Sequence, residues 1–120
     1  MARTALTKTT PKGSYPSLPI GAGTADVVMT AADVANKNQF PAGGNDLVIA
    51  QNTGGSAYTV TITSVVDAFG RTGDIAAYSL DAGDVVVLGP LKREGWVQTD
   101  GNIYLEASNA AVKFGIITLP

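Results

Sequence analysis

Residues 46–64 read DLVIAQNTGGSAYTVTITS, two apolar runs around a cluster of turn formers, and their reading decides the fold class. In Ala57 to Ser64 the side chains of Tyr58, Val60 and Ile62 fall on one face and those of Thr59, Thr61 and Thr63 on the other, because a strand reverses its side chains at every residue. Asp46 to Gln51 is a strand of the same length class, and Asn52 to Ser56 supplies the turn between them. One face of such a pair meets a core; the threonine face meets solvent or another protein.

The same texture continues toward the C-terminus. Ile75 to Leu80 and Val85 to Leu88 read as strands joined by the turn Asp81-Ala82-Gly83-Asp84, with Gly89-Pro90 ending the second. That second strand is apolar at every position, which predicts a central place in its sheet. Trp96 to Thr99 and Asn102 to Ala107 flank Asp100-Gly101, a hairpin signal because a type I′ turn needs two residues that tolerate positive φ. The register sets Thr99 opposite Asn102, with Trp96, Ile103 and Leu105 on one face and Val97 and Tyr104 on the other. Ala111 to Leu119 alternates with Val112, Phe114 and Ile116 inward.

Toward the N-terminus, Ala25 to Met29 reads as a strand. Thr30 to Asp33 has the spacing of an N-cap followed by an acid three residues on, which predicts one helical turn through Ala35. Asn36 to Gly44 reads as loop, broken by Pro41, Gly43 and Gly44. About eight short strands without a long helix predict an all-β chain: an antiparallel β-sandwich, in jelly-roll form or, as the alternative, a small barrel. Residues 24–120 form that domain, and residues 1–23 form an extended arm, since Pro11, Pro16 and Pro19 block helix and bias their predecessors to extended geometry.

Charge sets the arm apart. Residues 1–25 hold Arg3, Lys8 and Lys12 and no acid, a charge of +3, whereas the rest sets five cations against all ten acids. An arm of one sign on a body of the other favours contact with a neighbouring copy or an acidic partner. Arg3, Lys8 and Lys12 would meet acidic surface, while Leu6, Tyr15, Leu18 and Ile20 would fill grooves or the arm would add a strand to an exposed edge.

With no cysteine and no histidine, the chain excludes disulfide scaffolds, thiolate or imidazole metal sites, and nucleophilic triads built on those residues. Asp81 with Asp84, and Asp67 with Asp74, bracket turns; they read as turn chemistry rather than as a calcium or hydrolytic pair. Gly21-Ala22-Gly23 lacks the third glycine and following helix of a nucleotide loop. Lys92-Arg93 and the arm's cations stand beside an acidic body without interleaved aromatics, which argues against nucleic acid. No apolar run approaches a membrane span, and none behind Met1 forms a secretory core. The expectation is no enzyme, no cofactor and no metal. Phe69 and Arg71 lie on the long loop Val65 to Asp74, Phe69 as an exposed anchor or as a cap folded back on the core. Together with Arg3, Leu6, Lys8, Lys12, Tyr15, Val97 and Tyr104 they are the protein-contact candidates.

From residue 45 onward, NDLVIAQNTGGSAYTVTITSVVDAFGRTGD (45–74) and GWVQTDGNIYLEASNAAVKFGIITLP (95–120) resemble small β-sandwich virion proteins of tailed bacteriophages, most closely capsid decoration or cement proteins. The resemblance implies a structural protein made in the host cytoplasm and seated on the outer capsid surface. It implies as partners the major capsid protein and further copies of the chain, often as a homotrimer. The alternative is a carbohydrate- or receptor-binding module of a tail or head fibre, using Tyr58, Tyr78, Tyr104 or Trp96.

Overall fold

The computed structural model describes residues 2–12, 20–23 and 25–119. Its strands are β1 (Thr4–Ala5), β2 (Lys8–Thr9), β3 (Thr30–Ala31), β4 (Asn38–Pro41), β5 (Asp46–Asn52), β6 (Tyr58–Ile62), β7 (Ile75–Leu80), β8 (Val85–Leu91), β9 (Asn102–Ala107) and β10 (Val112–Thr118). No helix occurs among the described residues. One sheet has the order β1-β4-β9-β6-β7 and the other β2-β10-β5-β8, with β3 also paired to β10. Only β6 and β7 are consecutive neighbours in one sheet; every other step from β3 to β10 crosses between the layers. With all pairings from β3 onward antiparallel, β3-β10-β5-β8 facing β4-β9-β6-β7 is the strand order of a jelly roll.

Alternation along the strands builds the core between the sheets. Phe40, Val60, Ile62, Ile103 and Leu105 point in from the first sheet and Val48, Ala50, Val112, Phe114 and Ile116 from the second, all fully buried. Three polar side chains are buried with them, and each closes a connection. Asn52 donates to Ser56 O at 2.7 Å and Leu80 O at 2.9 Å and accepts from Gly54 N at 2.9 Å, which binds the β5–β6 turn to the end of β7. Asn38 accepts from Asp33 N at 2.9 Å and donates to Thr4 O at 3.3 Å. Asp46 accepts from Gly43 N at 2.7 Å and from the Thr118 hydroxyl, joining the start of β5 to the end of β10. Buried polar groups satisfied in this way fix one arrangement of the layers.

Residues 2–12 belong to this architecture. β1 runs parallel to β4, β2 runs parallel to β10, and Leu6 between them is buried in the common core. The strand addition expected at a neighbour's edge is thus made within the chain, and Leu6 fills an internal gap rather than a partner's groove.

Other expectations shift. Ala25 to Met29 form no strand; the strand is Thr30–Ala31, in place of the predicted helical turn. Asp33 caps the turn after β3, accepting from Asn36 N at 3.0 Å, while Lys37 N bonds Asp33 O at 2.7 Å. The expected loop 36–44 contains β4, because Phe40 and Asn38 are needed inside and Pro41 falls at the last position, where a missing donor costs least. Residues 96–99 form no strand. Trp96 N and Val97 N both bond Arg93 O, and the Asp-Gly turn closes Gln98, not Thr99, onto Asn102. β9 instead pairs with β4 and β6, which take both of its edges. β8 is an edge strand and not a central one, with Val85 and Val87 each 58% exposed. It runs on through Gly89-Pro90, since at an edge the free side of the ladder demands no donor from proline.

Because Leu6 joins both sheets through the core, Leu6→Ala should destabilise the domain by about 2–5 kcal/mol, the range for large-to-small core changes. Urea unfolding reads this as a lowered midpoint with unchanged slope. An unchanged midpoint would show that Leu6 does not tie the sheets together.

Candidate functional site

Three surface regions collect the residues that could act outward. The first is the loop between β6 and β7, residues 63–74. Its neck is closed by Asp74, which accepts from Ser64 N and Ser64 Oγ, each at 2.7 Å, while Ser64 Oγ in turn accepts from Gly73 N at 2.9 Å. Its tip is organised by Asp67, which accepts from Phe69 N at 2.8 Å, Arg71 N at 2.9 Å and Arg71 Nε at 2.8 Å. These bonds stabilise the charged carboxylates. The Arg71 backbone amide leads the effect at Asp67 and the Ser64 hydroxyl at Asp74, and both groups are held below the usual Asp range. A loop so tied presents Phe69 with 79% of its surface exposed and the Arg71 guanidinium 5.0 Å from the ring centroid. Phe69 is therefore exposed and does not fold back as a cap on the core. Between this loop and the β8–β9 connection lies an open cleft of about 500 Å³, lined among others by Asp67, Phe69, Arg71, Glu94 and Trp96.

The second region is the outer face of the β1-β4-β9-β6-β7 sheet. Arg3 lies 4.1 Å above the Tyr104 ring and donates to Asn38 O at 3.1 Å, and Tyr104 donates to Asp100 at 2.7 Å. The hydrogen bond from Tyr104 holds Asp100 low and, reciprocally, Asp100 pushes the Tyr104 phenol up. Lys37 pairs with Glu106 at 3.0 Å. This face is polar and internally matched, and the threonine stripe lies on it: Thr59 stands opposite Ser79, and Thr61 opposite Glu106.

The third region went unread in the sequence. On the outer face of the second sheet, Ile49 lies between Val87 and Gly115, Gln51 between Val85 and Lys113, and Leu47 beside Ile117. Part of this face is roofed by residues before β3: a Cβ on Gly115 would come within 2.5 Å of Met29 Sδ and 2.7 Å of Val27 Cγ1. The remainder exposes Val85 and Val87, with Ile49 half-buried beside Val87 and the polar Gln51 and Lys113 alongside. The signal existed in DLVIAQ, where Leu47 and Ile49 are as apolar as Val48 and Ala50; two-sided apolarity marked an outer face that the chain's own residues roof only in part.

The structure thus brings together Arg3 with Tyr104 and Phe69 with Arg71, and separates the remaining candidates. Leu6 is buried, Lys8 donates to Pro41 O at 2.8 Å, Lys12 is exposed, and Val97 is half-buried beside the cleft. Tyr15 and Leu18 lie outside the described residues. Among the described residues no group of three His, Cys, Asp or Glu side chains could hold a metal ion, and no helix is long and apolar enough to cross a membrane. No family model, no curated protein and no solved structure matches this chain.

The depressed carboxyl groups give a pH test. Asp67 and Asp74 support the loop fully above the unfolded Asp value, and that support is lost as pH falls through their lower folded values. Carboxyl NMR titration should place Asp74 below an unstructured Asp, and Ser64→Ala should return it upward. A titration unmoved by Ser64→Ala would contradict the neck described above.

Proposed function

We propose that this protein is a structural component of a tailed-phage virion, a decoration protein that binds the outer capsid surface and holds neighbouring capsid subunits together. The observation that carries the reading is the apolar outer face around Ile49, Val85 and Val87. A contiguous apolar surface of this kind marks a place for protein contact, since monomeric proteins rarely leave one uncovered. A sheet face of this kind suits a broad partner such as a capsid lattice. The arm contributes differently from the expectation: Arg3, Leu6 and Lys8 hold the body, and of the arm's cations the exposed Lys12 is the one offered to a neighbour.

A second reading rests on the cleft. Trp96 and Phe69 offer apolar rings, and Asp67, Glu94 and Arg71 offer polar groups, a combination able to stack on and hydrogen-bond a sugar. It places carbohydrate recognition at the loop rather than at Tyr104, whose ring and hydroxyl are engaged by Arg3 and Asp100.

Co-sedimentation with bare capsids separates the two. Ile49→Asp should reduce capsid binding by about tenfold or more, as loss of a central apolar contact does, while Thr59→Asp on the opposite outer face should leave it unchanged. Capsid binding indifferent to Ile49→Asp, or glycan binding by the isolated protein that disappears with Phe69→Ala, would move the function to the cleft.

A further inference from the structure

The two sheets have four lateral edges, and three are dealt with by the chain itself. The outer edge of β4 carries β1. That of β10 carries β3 at Lys113 and Phe114 and β2 at Ile116 and Ile117. β7 is blunted: Ala77 sits at φ 49, the register slips between Val60 and Ile62, and Ala77 N turns inward to Thr61 Oγ1 at 3.0 Å. Bulges of this kind keep an edge from accepting another strand. β8 has such a device only at its far end, where the register with β5 shifts at Gly89-Pro90. From Val85 to Leu88 it runs in unbroken register with β5, carries no charged residue, and among the described residues has no strand on its other side.

We propose that β8 is a self-association strand, pairing antiparallel with β8 of a second copy across a two-fold axis. The charges at its ends choose this occupant and this orientation. Asp81 and Asp84 precede the strand and Lys92 and Arg93 follow it, all exposed, with Lys92 donating to Asn45 Oδ1 at 2.9 Å, Arg93 to Ala42 O at 2.7 Å, and Glu94 turned toward Ala68 N at 3.5 Å. A parallel pair would set acid beside acid. An antiparallel pair sets the acidic start of each strand beside the basic end of the other, so the interface complements itself, as a two-fold contact requires. Pro90 lacks a donor, which confines the new ladder to the stretch around Val85–Leu88. Pairing there also joins the two outer apolar faces into one continuous surface, because Val85 and Val87 project to the side that carries Ile49. This contact needs no capsid and goes beyond the decoration reading.

Sedimentation velocity on the full chain, from about 1 to 100 μM, spans the dissociation constants of weak to moderate complexes. The expected species is twice the 12.2 kDa of one chain, weakening as salt rises. Asp84→Lys and Lys92→Asp should each weaken it about tenfold or more, and the two together should restore it. The reversals leave the backbone bonds of Asp84, from Asn52 N at 2.9 Å and to Asp81 O at 3.0 Å, in place. Since the chain has no cysteine, Val85→Cys and Val87→Cys variants give an independent reading: one of them should cross-link between copies on oxidation, and Thr59→Cys should not. A monomer throughout, a trimeric mass, a dimer indifferent to both reversals, or cross-linking confined to Thr59→Cys would overturn the proposal. Capsid co-sedimentation, scored separately, leaves the two claims distinguishable.

Discussion

Every strand at the rim of a sheet presents backbone donors and acceptors that must be satisfied by the chain, by water or by another protein, and this constraint organises the whole molecule. Both sheets are short, so the rims form a large part of the backbone. The chain answers by threading its first residues along them: β1 lines one sheet, Leu6 crosses through the core, and β2 lines the other. The basic start of the sequence, from Arg3 to Thr9, is therefore first an internal strap. Arg3 over Tyr104 and Lys8 on Pro41 O hold the strap from outside, and Leu6 holds it from inside.

The two outer faces divide the remaining work. One carries the Lys37–Glu106 ion pair, a cation over an aromatic ring, and threonine and serine hydroxyls; it is a polar surface. The other carries Leu47, Ile49, Val85, Val87 and Ile117, and its own chain roofs only the part over Gly115. The open edge of β8 adjoins this unfinished face, so unmatched backbone and unmatched apolar surface lie side by side. A protein whose role is adhesion would be built with its unsatisfied surface gathered in one place, and the rigid loop bearing Phe69 adds a second outward feature at the other sheet.

Much of the fold was legible wherever alternation was clean. Tyr58–Ile62 and Val112–Thr118 follow the period of two, and β7 falls where the residues between Asp74 and Asp81 place it. What was not legible depended on partners distant in sequence. Asn38–Pro41 looks like loop because Asn and Pro disfavour strands locally, yet Phe40 is needed between the layers and β9 supplies the ladder. Asp100-Gly101 does turn the chain, but local turn chemistry says nothing about whether residues 96–99 find a strand to pair with, and β9 was claimed by β4 and β6. Val85 to Leu88 shows the limit most plainly, since an apolar strand reads the same whether its second face is covered by its own chain or reserved for another. The Phe69–Arg71 contact followed from their nearness in one loop, whereas Arg3 over Tyr104 spans almost the full chain.

Hydrogen exchange along β8 tests the central claim most directly, because it reads the edge itself. In dilute protein the outward-pointing amides between Val85 and Leu88 should exchange rapidly while β5 beside them stays protected, and they should slow markedly under concentrated or capsid-bound conditions. Amides of β8 as protected in dilute solution as those of β5, or equally fast in every assembly, would contradict an edge kept open for association.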